Sequence, residues 1–207
     1  MNLPNRITLS RIFIVPIFML FVIPFPDWVL QSSWLEFIKP QLIYLNNFIM
    51  NFGNYIAAVI FIIASSTDGV DGYIARKRKL VTKFGKFLDP VADKLLVTAA
   101  LIALLQRGNI SGWSAMIIIG RELMVTGLRL IAAGEGIVIA ASKFGKIKTV
   151  TQIIAIVASL LQNYPLSLIT DFRFDKYFMF IAVIITIYSG YDYFSKNLKV
   201  IGLEDHM

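Results

Sequence analysis

The sequence predicts an all-α integral membrane protein, with six transmembrane helices that enclose a polar cavity open to the cytosolic side. The composition supports this first: of 207 residues, 57% are hydrophobic and 16% are charged, and the mean hydropathy is +0.71. Long apolar runs recur along the chain and are joined by short connections, as in a helical membrane domain. Several charged residues fall inside those runs, and such groups need a protein-walled, wet cavity because lipid does not solvate them.

The predicted spans form one membrane domain, residues 1–207, because the connections are too short to separate domains. They cover residues 9–27, 50–76, 84–106, 112–133, 149–163 and 177–197. The first run follows basic residues, as in a signal peptide, but no cleavage-site pattern follows it, so we expect a retained helix. The longest loop is 25–48, where Trp28, Trp34 and Tyr44 suggest a position at the membrane interface.

The third and fourth spans carry charges at membrane depth. The uncharged stretch 95–105 is only about 16 Å long as a helix, about half of a hydrocarbon core of about 30 Å. The third helix must therefore continue back through Lys94, Asp93 and Asp89. Arg121 and Arg129 lie in the fourth span and call for the same cavity.

Basic residues give the orientation. Most of the 20 Lys and Arg residues border the ends of spans on one side, and the other side has only Lys39, Arg107, Arg173 and Lys176. The positive-inside rule then predicts cytoplasmic N- and C-termini. The net charge of +7 favours anionic lipid headgroups as partners; nucleic acid is not expected, because the basic residues form no separate domain. With no cysteine, disulfide and thiol chemistry are excluded.

Two pairs of aspartates dominate the chemistry. Asp68, Asp71, Gly72 and Ala75 share one stripe of the second helix, and Gly85, Asp89 and Asp93 recur every four residues on the third. Four converging carboxylates suit oxygen-ligated divalent ions, and two such ions can clamp a phosphate and its leaving group in an in-line displacement. The structural alternative is that each aspartate caps a helix or pairs with a nearby Lys or Arg; we favour it for one pair alone and not for two.

The run D-x2-D-G-x2-A-R-x8-G-x3-D-x3-D, complete from Asp68 to Asp93, resembles the signature of the CDP-alcohol phosphotransferases. The segments L-P-N-R-I-T-L-S-R, G-R-E-L-M-V-T-G-L-R and G-K-I-K-T resemble the branch of that family that makes phosphatidylglycerophosphate. The resemblance implies six transmembrane helices, a homodimer and two Mg2+ or Mn2+ ions. It also implies transfer of the phosphatidyl group from CDP-diacylglycerol to sn-glycerol 3-phosphate, with release of CMP.

Residue roles follow from the same resemblance. The metal ligands would be Asp68, Asp71, Asp89 and Asp93, and Asp93 would also be the general base. The positions that would frame the nucleotide and donor are Asn5, Thr8, Arg11, Thr67, Gly72, Ala75, Arg76 and Gly85. For Asn5 a helix cap is equally open. Thr67 is a candidate by its position next to Asp68 and not by the resemblance, and its alternative is a bond back to its own helix.

A glycerol 3-phosphate pocket needs fixed cations, and Arg is suited to bidentate phosphate contacts. We expect Arg121, Arg129 and Lys146 to form most of it, with Lys143 and Lys148 as further candidates. The alternative is an Arg121–Glu122 pair together with lysines that only serve the positive-inside rule.

Two other functions stay open. One is the same reaction with another acceptor, such as inositol phosphate, serine or phosphatidylglycerol. The other is a divalent cation transporter, because carboxylates in membranes also mark ion pathways. Against the transporter, the acidic groups cluster on one side and the adjacent basic connection would repel cations. A structural bundle with incidental charges predicts no metal-dependent nucleotide binding.

Overall fold

The computed structural model describes residues 3–77, 83–134, 136–137, 139 and 142–197; within these ranges the side chains of 3–8, 68–77, 83–90, 93 and 143 are not described. The described chain is helical and has no strand. Its six long helices are α1 Leu3–Val22, α2 Lys39–Lys77, α3 Lys83–Gln106, α4 Gly112–Gly134, α5 Lys143–Leu160 and α6 Phe174–Asn197. Two compact units divide the chain, Met1–Asn109 with α1 to α3 and Ile110–Met207 with α4 to α6.

In the first unit, α1 packs closely against α2. A Cβ atom at Gly53 of α2 would lie 2.0 Å from the backbone oxygen of Phe21 in α1, so only glycine fits at this crossing. Further along the same two helices, Phe18 of α1 and Phe61 of α2 meet with ring centroids 6.2 Å apart. Small residues that let backbones approach in this way are typical of helix packing in membranes, where dispersion contacts replace the hydrophobic effect.

The connection between α1 and α2 is more ordered than the sequence predicts. Helix α1 ends at Val22, before Pro24 and Pro26, rather than at residue 27. A short helix Asp27–Leu30 and a 3-10 helix Ser33–Ile38 follow, and α2 already begins at Lys39.

The predicted loop 25–48 is therefore wrong from residue 39 onwards. Pro40 does not oppose the helix, because a first-turn N–H has no intrahelical partner to lose. Trp28, Trp34 and Tyr44 are all exposed, so none of them belongs to the core of this unit.

Arg107 joins all three helices of the first unit. It follows the last residue of α3, where Gly108 adopts a φ of +71° and ends the helix. Its Nε donates to the carbonyl of Val22 at 2.5 Å, and its Nη2 donates to the carbonyl of Ile49 at 3.0 Å. The Val22 carbonyl belongs to the last turn of α1, where carbonyls lack intrahelical donors. Burial lowers the pKa of Arg107, and this carbonyl bonding compensates part of its desolvation.

In the second unit, α6 packs against both α4 and α5. Buried Gln152 of α5 donates to the hydroxyl of Thr186 on α6 at 2.9 Å, and Thr186 donates in turn to the Ala182 carbonyl. Helix α5 begins at Lys143, six residues before the predicted span, because Ser142 caps it by accepting from the Gly145 N–H at 3.0 Å.

The loop between α5 and α6 is held by side chains. Asn163, at a φ of +72°, donates to the Phe172 carbonyl at 2.8 Å and accepts from the Phe174 N–H at 3.1 Å. The buried carboxylate of Asp175 accepts two hydrogen bonds from Arg173, at 2.8 and 2.7 Å, and the pKa of Arg173 is raised by that bonding.

Two stretches of the described chain are long and apolar enough to cross a membrane, Ser33–Thr67 and Phe174–Asn197. Leu9–Val22 and Lys94–Gln106 are apolar but shorter. Helix α4 has the length, but it carries Arg121, Glu122 and Arg129. Six long helices occur where six spans are predicted, whereas the number that cross the membrane and the single-domain assignment stay predictions.

Candidate functional site

The acidic signature lies on two helices of the first unit. Asp68, Asp71, Gly72 and Ala75 are in the last third of α2, and Gly85, Asp89 and Asp93 are in the first half of α3. The predicted helical stripes are therefore correct for the backbone, and the 3.6-residue period puts the members of each stripe on one face. Their side chains lie outside the described part, as does that of Arg76, so the convergence of the four carboxylates stays a prediction.

The donor set of the signature fits divalent metal. Ionised carboxylates are the ligands that Mg2+ and Mn2+ prefer, and the two helices that carry them belong to one compact unit. Elsewhere in the chain, the described side chains form no group of three or more His, Cys, Asp or Glu that could hold a metal ion.

The other predicted donor residues are placed in part. Arg11 of α1 is 2% exposed, which is unusual for an arginine and requires polar partners. The Thr67 hydroxyl donates to the Ala64 carbonyl at 2.8 Å, which is the bond back to the helix considered as its alternative role. Asn5 and Thr8 lie in α1, and their side chains are outside the described part.

In the second unit, the two arginines of α4 both bind hydroxyl groups of α6. Arg121, which is buried, donates from Nη2 to Ser189 at 2.7 Å. Arg129 donates from Nε to the Tyr193 hydroxyl at 2.9 Å, and its guanidinium lies 5.3 Å from the centre of that ring. Both arginines thus contact the same neighbouring helix from nearly one face of α4. Because both hydroxyl groups are neutral, these two hydrogen bonds do not themselves neutralise the arginines.

Glu122 links this pair to α5. Its Oε1 accepts from Lys148 and lies 3.6 Å from Nη1 of Arg121. Lys148 is 5% exposed and pairs with this carboxylate. Its role is therefore not limited to setting the orientation of the protein in the membrane.

The three lysines at the start of α5 are not equivalent. Lys146 is exposed, and it lies two residues from Lys148, nearly on the opposite face of the helix. The side chain of Lys143 is outside the described part. Among the described lysines of this segment, Lys148 is the one that shares Glu122 with Arg121, whereas the sequence favours Lys146.

Sequence reasoning missed the contribution of α6. Thr186, Ser189 and Tyr193 recur at intervals of three and four residues inside an apolar run. That is the spacing of one helix face, and neutral polar residues at membrane depth hydrogen-bond across helices. The pattern could have indicated a polar face toward α4 and α5, but it could not identify the individual partners.

Comparison with known proteins tests the family resemblance that the signature indicates. A family model described as CDP-alcohol phosphatidyltransferase matches residues 1–188. The chain belongs to the CDP-alcohol phosphatidyltransferase family. The match includes both aspartate pairs and the arginines of α4, so both halves of the predicted site lie within the family region. Members of this family generally depend on divalent metal.

Individual relatives show which members of the family this chain is similar to. A protein of Bacillus subtilis named CDP-diacylglycerol–glycerol-3-phosphate 3-phosphatidyltransferase is 49% identical over 97% of this chain and 97% of its own length. A protein of Rickettsia typhi with the same name is 35% identical over 93% and 95%. A protein of Mycobacterium tuberculosis, named a probable phosphatidylglycerophosphate synthase, is 34% identical over 97% and 84%.

Proposed function

We propose that this protein transfers the phosphatidyl group of CDP-diacylglycerol to sn-glycerol 3-phosphate, giving phosphatidylglycerophosphate and CMP. One observation carries the proposal: the B. subtilis protein named CDP-diacylglycerol–glycerol-3-phosphate 3-phosphatidyltransferase is 49% identical to this chain and matches it almost end to end. Identity at this level extends well beyond the signature, which by itself specifies a family and not an acceptor. The basic cluster on α4 and α5 is consistent with an acceptor that carries a phosphate.

The aspartates of the signature have two roles in the proposed reaction. Asp68, Asp71, Asp89 and Asp93 would hold two divalent ions, which when bound neutralise the diphosphate and make CMP a better leaving group. Asp93 also takes the proton from the primary hydroxyl of the acceptor. The acceptor oxygen then forms a bond to the phosphorus that bears diacylglycerol, and the bond from that phosphorus to the CMP oxygen breaks. Gly72, Ala75, Arg76 and Gly85, with Asn5, Thr8, Arg11 and Thr67, frame the nucleotide part of the donor.

The acceptor phosphate binds to Arg121, Arg129 and Lys148 in this proposal. The burial of Arg121 and Lys148 and the neutral hydroxyl partners of both arginines support it. Buried cations with fixed geometry bind phosphate more strongly than mobile surface lysines, because less conformational freedom is lost. Lys143 and Lys146 are retained as additional candidates from the sequence.

The membrane arrangement completes the proposal. The six long helices cross the membrane with both termini in the cytoplasm, and the active-site cavity opens to the same side. This location is required by the chemistry, because the acyl chains of the donor stay in lipid while the acceptor arrives from water. The family resemblance also implies a homodimer.

The decisive experiment measures CMP release by the purified protein in detergent, with CDP-diacylglycerol and Mg2+. Glycerol 3-phosphate, inositol phosphate, serine and phosphatidylglycerol are compared as acceptors. Release with glycerol 3-phosphate alone, abolished by EDTA and restored by Mg2+ or Mn2+, is the expected result. Release with a different acceptor would keep the family and overturn the proposed acceptor, and metal flux into liposomes without the donor would favour a transporter.

A further inference from the structure

Glu122 is a carboxylate shared by two nearly buried cations. The same oxygen, Oε1, accepts from Lys148 and lies 3.6 Å from Arg121. The side chains of Arg121 and Lys148 are 9% and 6% exposed, and that of Glu122 is 20% exposed. Taking a charged group out of water is costly unless a counter-charge compensates it. Glu122 supplies that counter-charge to both cations.

The charges of this cluster match a phosphate monoester. Arg121, Arg129 and Lys148 carry three positive charges and Glu122 carries one negative charge, so two positive charges remain. Nearby on α6, Asp192 and Lys196 pair with one another and add no net charge. A phosphate monoester has a second pKa of about 6 and is therefore mostly a dianion at neutral pH. The cluster has the charge to neutralise one such group.

We propose that Glu122 is an internal counter-ion that the acceptor's phosphate displaces from Lys148 and Arg121. This inference rests on the proposed function, because it takes the cluster as the acceptor's phosphate site. Before the acceptor binds, Glu122 keeps two buried cations in place and neutralises part of their charge. When the phosphate arrives, it competes with Glu122 for the same N–H groups. Glu122 is thus a positioning residue that stabilises the empty site and lowers its affinity for phosphate.

The test is the Glu122→Gln variant, which keeps the shape of the side chain and an oxygen acceptor while removing the charge. Stability should fall, because two buried cations lose their counter-charge. The KM for glycerol 3-phosphate should nevertheless fall by about three- to tenfold, because the phosphate no longer competes with a carboxylate. A purely structural role predicts the opposite sign for KM, since a loosened site binds the acceptor less well. The direction of the change in KM therefore distinguishes the counter-ion role from a purely structural role.

A second variant, Glu122→Asp, tests the proposal if Glu122→Gln does not fold. Glu122→Asp retains the charge but shortens the side chain by one methylene, so its contacts with both cations weaken. We expect a smaller decrease in KM, about twofold, with little loss of stability. An unchanged or raised KM in both variants, or in Glu122→Asp when Glu122→Gln does not fold, would overturn the proposal.

The matched control is Asp175→Asn. Asp175 is also a buried carboxylate paired with an arginine, but it lies at the opposite end of α6 from Tyr193. Its loss should lower the melting temperature and leave the KM for glycerol 3-phosphate unchanged.

A binding measurement keeps this test separate from that of the proposed function. The melting temperature of each protein is followed as inorganic phosphate is added, without donor or turnover. Stronger stabilisation of Glu122→Gln than of wild type supports the counter-ion role even if the enzyme uses another acceptor. Weaker or equal stabilisation overturns it even if the enzyme makes phosphatidylglycerophosphate.

Discussion

At the scale of single residues, the polar groups of α6 determine what the arginines of α4 can do. Ser189 and Tyr193 accept hydrogen bonds from Arg121 and Arg129 without neutralising them. Hydrogen bonds to a charged group contribute about 1.5–3 kcal/mol each, enough to fix a long side chain that would otherwise sample many rotamers. Both guanidinium groups therefore hold defined positions, and the Glu122 carboxylate, 3.6 Å from Arg121, is the group that an incoming anion would have to displace.

Tyr193→Phe should raise the KM for glycerol 3-phosphate by about three- to tenfold with little change in kcat. The variant removes the hydroxyl that accepts from Arg129 and keeps the ring beneath its guanidinium, so part of the orientation survives. Steady-state CMP release at varied acceptor concentration measures the effect. Tyr188→Phe is the control, because that ring on the same helix packs against Phe144. Equal effects of the two variants would contradict the role of Tyr193.

Asp93→Asn should abolish turnover while leaving CDP-diacylglycerol binding measurable. An amide cannot take the proton of the acceptor hydroxyl, whereas the other three aspartates of the signature remain. Turnover is followed as CMP release, and donor binding is followed by calorimetry in detergent with Mg2+. Asp27→Asn, in the short helix after α1, should behave as wild type. Normal turnover of Asp93→Asn would refute its assignment as the base.

At the scale of helices, positions were more predictable than partners. The span 112–133 agrees with α4, Gly112–Gly134, because hydropathy and the 3.6-residue period are local properties of a sequence. The helical segment from Lys39 was missed because polar residues near its start resemble a loop. Lys146 was favoured over Lys148 because spacing does not tell which lysine of a short basic run faces a carboxylate on another helix.

Gly53→Ala should destabilise the contact between α1 and α2. The added methyl group would meet a backbone oxygen, which no rotamer change can relieve, so we expect a loss of about 1–3 kcal/mol. Thermal unfolding in detergent measures it. Gly127→Ala is the matched control: it is also a helical glycine, but its added Cβ would meet nothing within 4 Å. That control should be neutral or stabilising by up to about 1 kcal/mol. Equal melting temperatures would exclude a tight crossing at Gly53.

At the scale of the whole molecule, the distribution of charge predicts the orientation in the membrane. The absence of cysteine allows this to be tested with single introduced thiols and no background. Ser167→Cys, in the loop between α5 and α6, should react with a membrane-impermeant maleimide in intact cells. Ser195→Cys, near the end of α6, should react only after permeabilisation. Both serines are exposed, so accessibility to the reagent decides the outcome, and the reverse pattern would invert the proposed topology.

The contacts of Arg107 also set an order of events during synthesis. The carbonyls of Val22 and Ile49 acquire this donor only after the chain has been made as far as residue 107. A nascent chain that contains only the first two long helices therefore has an incomplete junction at that end. The first unit is therefore complete only after the third long helix has been made. On a ribosome stalled before residue 107, we expect the pair of helices α1 and α2 to be more accessible to proteases and chaperones than the same pair in the mature protein.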